Sequence, residues 1–373
     1  MSGLLDALRA HAAANPEGIA LDPCGAAPVS RARLVDMVEQ RARELAGQFD
    51  AARPVALECD HSAEAAVLEL ALLEAGLPVL SLPSFFTPEQ RLHAIASCGA
   101  QAVFANSPPK TAAPCRTAPV PLPGGTARIT FTSGSTGTPK GVCLSADHML
   151  TVAESVVDAL GTGHAGRHLA LLPPGILLET VAGFLPTMLA GGAYLCPPQA
   201  LVGLGDPFRP DFAAMLARIA EWQVTSLILV PEYLGGLVAA MEATGVRLPL
   251  LSLVAVGGAR VPPSVIARAR VVGLPVRQGY GLTECASVVS LEDGSGHAPG
   301  SAGKPLRHVQ ARIAPDGEIW LDGPMCLGTI GAERAPGPLA TGDIGRIDEQ
   351  GRLWIEGRKS NLVITSFGRN ISP

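Results

Sequence analysis

Segments with a helical apolar period alternate with short apolar runs along most of the chain, and this alternation restricts its fold more than any other feature. Helices are predicted over 4–14, 30–45, 62–75 and 87–97, with Ser30 as an N-cap and a Thr-Pro-Glu start opening the fourth. Strands are predicted over 54–58, 77–82 and 102–105, and such βαβα order calls for a parallel sheet covered by helices. Residues 106–125, rich in Pro, Ala and Thr, read as a linker or surface crossing. Further on, predicted helices 146–160, 177–189, 212–221 and 231–243 alternate with strands 167–172, 193–196, 226–230 and 252–256, a second doubly wound unit. From residue 309 the texture changes to short strands, 309–313, 318–321, 345–347 and 353–356, with turns at Pro315-Asp316-Gly317 and Glu349-Gln350-Gly351. The expected fold is therefore α/β: two doubly wound α/β subdomains plus a small distorted β-barrel.

A chain of 373 residues, 47% of them hydrophobic, can build more than one core. Its net charge of −5 comes without any basic run, so composition gives no footing to nucleic acid or an anionic membrane as partner. The eight cysteines are scattered, with no C-x-x-C pair and no zinc-like His spacing, and read as reduced, small buried hydrophobes. Residues 1–20 lack a signal-peptide pattern, and no apolar run approaches the roughly 20 residues needed to span a bilayer. A soluble, cytoplasmic protein is expected.

Between the two units lies Thr132-Ser133-Gly134-Ser135-Thr136-Gly137-Thr138-Pro139-Lys140-Gly141, preceded by a β-like run over 128–131. Three glycines, two ahead of the lysine and one after it, free backbone N–H groups to turn toward an anion, the hydroxyls add donors, and Lys140 adds a positive charge. These are the parts that hold a polyphosphate. The loop is not a Walker loop, because Pro139 precedes the lysine and Gly141 follows it.

That loop resembles the phosphate-loop signature of the adenylate-forming superfamily, which includes acyl-CoA synthetases, nonribosomal peptide adenylation domains and luciferase. Three later stretches resemble its other signatures in the expected order: Tyr280-Gly281-Leu282-Thr283-Glu284, Thr341-Gly342-Asp343-Ile344-Gly345, and Gly357-Arg358 at the start of a hinge. The resemblance implies ATP and Mg²⁺ as cofactors, with CoA or a carrier-protein phosphopantetheine as acceptor. It implies nucleotide contacts by Thr132, Ser133, Gly134, Ser135, Thr136, Gly137, Thr138 and Lys140, and by Gly258, Ala259, Gly279, Tyr280, Gly281, Thr283, Asp343, Ile355 and Arg358. Tyr280 would stack on adenine, Asp343 would take the ribose hydroxyls, and Glu284 would hold the metal. Lys140, Thr283 and Glu284 are the expected catalytic residues. Gly257-Gly258-Ala259, read from the residues alone, is a tight strand-to-helix turn before it is room for a flat ring, and the resemblance implies that it borders both adenine and the acyl group.

The resemblance also divides the chain into an AMP-binding domain over 1–357 and a hinge with the start of a lid domain over 358–373. Ser360 stands where the family carries Asp or Lys. The lid lysine that contacts the α-phosphate has no counterpart here, and the lid is expected to be essentially absent. The acyl wall is assigned to Leu177, Val181, Gly257 and Gly281. Because the amino-acid anchor position falls near an apolar Leu177, a fatty or aromatic carboxylic acid is expected as substrate, with Glu179 two residues away as the alternative anchor. Three functions stay open: an acid–thiol ligase serving CoA or an acyl carrier protein, an amino-acid adenylation domain loading a peptidyl carrier protein, and a non-catalytic adenylate-binding module.

Overall fold

The structure is a computed structural model that describes residues 2–105, 112–132, 140–206, 208–294, 298–359, 363–364 and 370–371. Of the predicted site residues, Ser133, Gly134, Ser135, Thr136, Gly137 and Thr138 lie outside that set, as do Ser360 and the lid-like residues 365–369.

The first sheet has a parallel centre of Thr126–Thr132, Val79–Ser81, Val55–Glu58 and Ala102–Ala105 in that order. Its helices start where capping residues dictate: Ser62 accepts from Ala65 N–H ahead of Ala63–Glu74, and Thr87 and Gln90 form a reciprocal capping box ahead of Pro88–Ser97. Within 106–125, Ala112–Pro114 adds an antiparallel edge strand, which the Pro-rich composition had hidden. At the other edge Lys140–Ser145 pairs antiparallel with Thr126–Thr132, and Gly328–Thr329 pairs with it in turn.

The second sheet is parallel through Val276–Tyr280, Leu253–Val256, Ser226–Leu229, Arg167–Leu169, Ala193–Leu195 and Ile19–Asp22. The last of these had no clear sequence period, and it carries the chain's beginning into the second unit rather than the first. A continuous apolar cluster joins the sheets: Val142 and Leu144 from one, Leu21 and Tyr194 from the other, and Val67, Leu150, Val156 and Phe184 from the helices between. Burying such side chains stabilises by about 1.5–3 kcal/mol each.

The distorted barrel is a curled antiparallel sheet of four strands, Gln310–Ile313, Glu318–Asp322, Leu339–Ile347 and Leu353–Arg358, with register shifts in two of its ladders. Val309, Ile319, Leu321 and Leu353 pack beneath Cys285 and Val289, with Tyr280 and Leu282 against them. That contact sets the small sheet opposite the carboxyl end of the second sheet. No helix among the described residues is long and apolar enough to cross a membrane.

Candidate functional site

The strand Val276–Tyr280 runs into a turn whose shape depends on glycine, because a Cβ on Gly281 would sit 1.8 Å from the Ser287 carbonyl oxygen. On the neighbouring strand's exit, Gly258 has φ +85°, a left-handed conformation that a side chain disfavours. Two small, close-packed turns therefore end side by side where an open α/β sheet takes its ligand.

Two cavities meet there, sharing Gly258, Gly279, Tyr280 and Gly281. One is an open cleft of about 1470 Å³ between the second sheet and the small sheet, lined by Ala259, Gln278, Asp343, Ile355 and Arg358 among others. The other, about 880 Å³, runs back into the domain between Leu178, Ala182, Ile228 and Val288, with Gly257 and Thr283 on its wall. Of the predicted nucleotide residues, Ala259, Asp343, Ile355 and Arg358 line the cleft, Thr283 lines the inner cavity, Gly258, Gly279, Tyr280 and Gly281 line both, and Thr132 and Lys140 line neither.

Asp343 is 5% exposed and held from three sides. The Tyr280 hydroxyl donates to its Oδ2 at 2.6 Å, Arg358 Nε pairs with Oδ1 at 2.9 Å, and its own N–H donates to Thr341 Oγ1. Asp343 and Arg358 are register partners across adjacent strands, which is why residues 15 apart in sequence meet. The irregularity in this strand's pairing lies at Gly342, at φ +73°, whose N–H donates to Glu318 Oε1. Burial, and then the Asp343 charge, hold the Tyr280 hydroxyl well above the ordinary tyrosine range, so it stays a donor. A carboxylate has about four acceptor sites. With Tyr280 and Arg358 bound, Asp343 keeps capacity for two hydroxyl donors.

Lys140 and Thr132 are register partners at the open end of the hairpin that brackets the loop. Consecutive N–H groups tie this hairpin to Glu284: Cys326 donates to the Glu284 carbonyl at 2.7 Å and Leu327 to the Cys143 carbonyl at 2.9 Å. The segment around 326 had no motif to reveal it, yet it sets the spacing between the lysine strand and the Thr283–Glu284 turn. Magnesium keeps much of its shell for phosphate oxygens and water, so one carboxylate suits it. Among the described residues no group of three or more His, Cys, Asp or Glu could hold a metal ion.

Gln278 also lines the cleft; it is 9% exposed, and its Oε1 lacks a hydrogen-bond partner. Sequence reading passed over it, although a polar side chain on a buried strand two residues before Tyr280 was the available signal.

Two assignments on the acyl wall are corrected. Leu177 and Val181 are buried in the inter-sheet cluster, and the residues one position on, Leu178 and Ala182, line the inner cavity. The predicted helix 177–189 opens as a π-helix, Glu179–Phe184, before the α-helix Leu185–Ala190, with Pro186, which has no N–H, at the junction. Glu179 lines neither cavity. It is 3% exposed, faces His168 at 3.1 Å and accepts from the Tyr194 hydroxyl at 3.2 Å, on a separate polar cavity that shares no lining residue with the other two.

The family described as AMP-binding enzyme matches residues 108–329, a span holding the phosphate loop, the inner cavity and the Tyr280 turn. The chain belongs to that family. Its members similar to this chain include a 2-succinylbenzoate–CoA ligase of Bacillus velezensis, 34% identical over 66% of this chain and 52% of the relative. An indoleacetate–CoA ligase of Aromatoleum aromaticum is 30% identical over 66% of this chain and 50% of the relative. Among solved structures, the o-succinylbenzoate CoA synthetase of Bacillus subtilis in complex with its acyl-adenylate intermediate superposes with a TM-score of 0.80 at 25% identity, covering 98% of this chain and 80% of that one. The chain spans about half the length of the curated relatives it matches.

Proposed function

We propose that this chain carries the adenylate-forming part of an acid–thiol ligase: it binds ATP and an apolar carboxylic acid, fatty or aromatic, joins them as an acyl-adenylate with release of pyrophosphate, and prepares the acyl group for transfer to CoA. The observation that carries this reading is the meeting of a polar, open cleft with an apolar inner cavity at Gly258, Gly279, Tyr280 and Gly281. A nucleotide on one side and an acid on the other would bring the α-phosphorus and the carboxylate to that junction.

The roles follow from residue chemistry. The Tyr280 ring packs the adenine, Gln278 Oε1 accepts from its amino group, and Asp343 accepts from the ribose hydroxyls while Arg358 keeps the carboxylate oriented. Lys140 draws the phosphates toward the hairpin loop, and Thr283 donates to the α-phosphate. Glu284 would hold magnesium, which when bound offsets phosphate charge. No side-chain nucleophile is needed, since the substrate carboxylate attacks phosphorus and the chain supplies alignment and charge complementarity. The names of the similar relatives, all CoA ligases, support CoA as acceptor. The amino-acid reading is disfavoured by Leu178, because an α-ammonium beside that wall would meet no carboxylate.

Acid-dependent exchange of labelled pyrophosphate into ATP, measured with this chain joined to a lid domain that carries the α-phosphate lysine, tests the reading. Exchange stimulated by apolar acids and abolished in Lys140→Ala is expected. Nucleotide binding with no exchange for any acid would reduce the chain to an adenylate-binding module.

A further inference from the structure

The inner cavity has a graded wall. Leu253, Ala255 and Gly257 alternate onto one face of the strand Leu253–Val256 and its exit, and all three line the cavity. Side-chain size falls from leucine to alanine to nothing toward the junction with the nucleotide cleft. This strand face thus projects least at the end where the reacting carboxylate would lie and most at Leu253. From Gly257 back to Leu253 is about 13 Å, at about 3.3 Å per residue. Ile228, the register partner of Ala255 on the neighbouring strand, lines the same stretch.

The opposite wall comes from an element that no motif marks. Helix Ala146–Leu160 contributes Val156 and, one turn on, its last residue Leu160. No Lys, Arg, His, Asp or Glu lines the cavity among the described residues. A second carboxylate carried in with the substrate would be buried without a counter-charge.

We propose that Leu253 and Leu160 close the deep end of this cavity and act, with Ala255, as a length gauge that admits monocarboxylic acids with a single ring or a medium chain and rejects long chains and dicarboxylates. This rests on the adenylate-forming reading above and adds to it the residues that set the limit. It separates this chain from its 2-succinylbenzoate-handling relatives, whose named substrate carries two carboxylates.

The test is equilibrium binding of AMP and of N-acylsulfamoyl adenosines bearing butanoyl, octanoyl, hexadecanoyl and succinylbenzoyl groups. The unaltered chain should hold the octanoyl compound about tenfold or more tighter than the hexadecanoyl or succinylbenzoyl one, the scale of small steric steps in an apolar pocket. Ala255→Val should shift the preference toward butanoyl, and Leu160→Ala should raise hexadecanoyl binding relative to octanoyl. Leu253→Ala should do the same, and because Leu253 is buried, the other two variants carry the test if that one does not fold. Equal affinity for octanoyl and hexadecanoyl compounds, or an unchanged ranking in Ala255→Val and Leu160→Ala, would overturn the gauge. AMP binding with no gain from any acyl group would overturn it while leaving nucleotide recognition standing; failure of every compound, AMP included, would overturn both.

Discussion

The Tyr280 hydroxyl donates to Asp343 Oδ2 at 2.6 Å across the cleft between the second sheet and the small four-stranded sheet. This bond joins two stretches 63 residues apart and fixes the half-buried ring of one against the carboxylate of the other. A hydrogen bond to a charged acceptor contributes about 1.5–3 kcal/mol. Tyr280→Phe keeps the ring and removes the donor, so urea denaturation should show a loss near the lower end of that range. An unchanged midpoint would mean that the bond does not contribute to holding the cleft together.

Asp343→Ala should weaken ligand binding beyond the stability lost with the Tyr280 bond. Arg358, its partner, has a side chain 56% exposed and can be solvated when the carboxylate is gone. The expected result is AMP binding weaker by about 2 kcal/mol, roughly thirtyfold. Calorimetric titration that returned the unaltered affinity would remove Asp343 from the ribose.

Glu179 separates structure from site. Its Oε1 is engaged by His168 and Tyr194, while Oε2 is buried without a partner. Glu179→Gln keeps the shape and one acceptor, and should change stability by about 1–2 kcal/mol without altering AMP affinity. A selective loss of ligand binding would place the polar cavity in the functional site after all.

His148 gives the fold a dependence on pH. Burial, with the nearby His308 ring as a second cause, pushes its pKa down from 6.5 to about 4, and neither of its ring nitrogens has a hydrogen-bond partner. His308 is lowered as well, chiefly by burial. Between about 6.5 and 4 the unfolded chain binds more protons than the folded one, so stability is full above the upper value and falls as pH drops through this window. The share due to His148 is up to about 3 kcal/mol. Urea midpoints at neutral and acidic pH should converge in His148→Leu, and an equal acid loss in both proteins would assign it elsewhere.

How far the sequence reaches is visible element by element. The segment 212–221 reads directly as a helix because Asp211 caps it and its apolar positions recur at helical spacing; the structure has it as Phe212–Glu221. Tyr280, Asp343 and Arg358 were named from motifs, and the cross-strand register that joins them follows from the pairing of Leu339–Ile347 with Leu353–Arg358. Leu178 and Ala182 were missed by one residue because apolar residues occur on more than one face of this segment, and only its packing decides which of them face the cavity. Ile19–Asp22 and Lys140–Ser145 were missed because a strand's partner is a tertiary fact: the first pairs with Ala193–Leu195, the second with Thr126–Thr132. Gly257 was assigned to the acyl wall by resemblance, whereas Leu253 and Ala255 read in sequence as ordinary strand core, and only the packing around the inner cavity makes them part of its wall.

The central claim is that one chain holds nucleotide and acid in two cavities that meet at Gly258, Gly279, Tyr280 and Gly281. The most direct measurement is the affinity of octanoyl-sulfamoyl adenosine compared with AMP and with octanoate alone. Joined halves should bind far more tightly than either, with Asp343→Ala weakening AMP and the joined compound alike, and Ala182→Phe weakening only the joined compound. If the acyl group added nothing to the affinity of the nucleotide, the two cavities would not form one site and the account would fail.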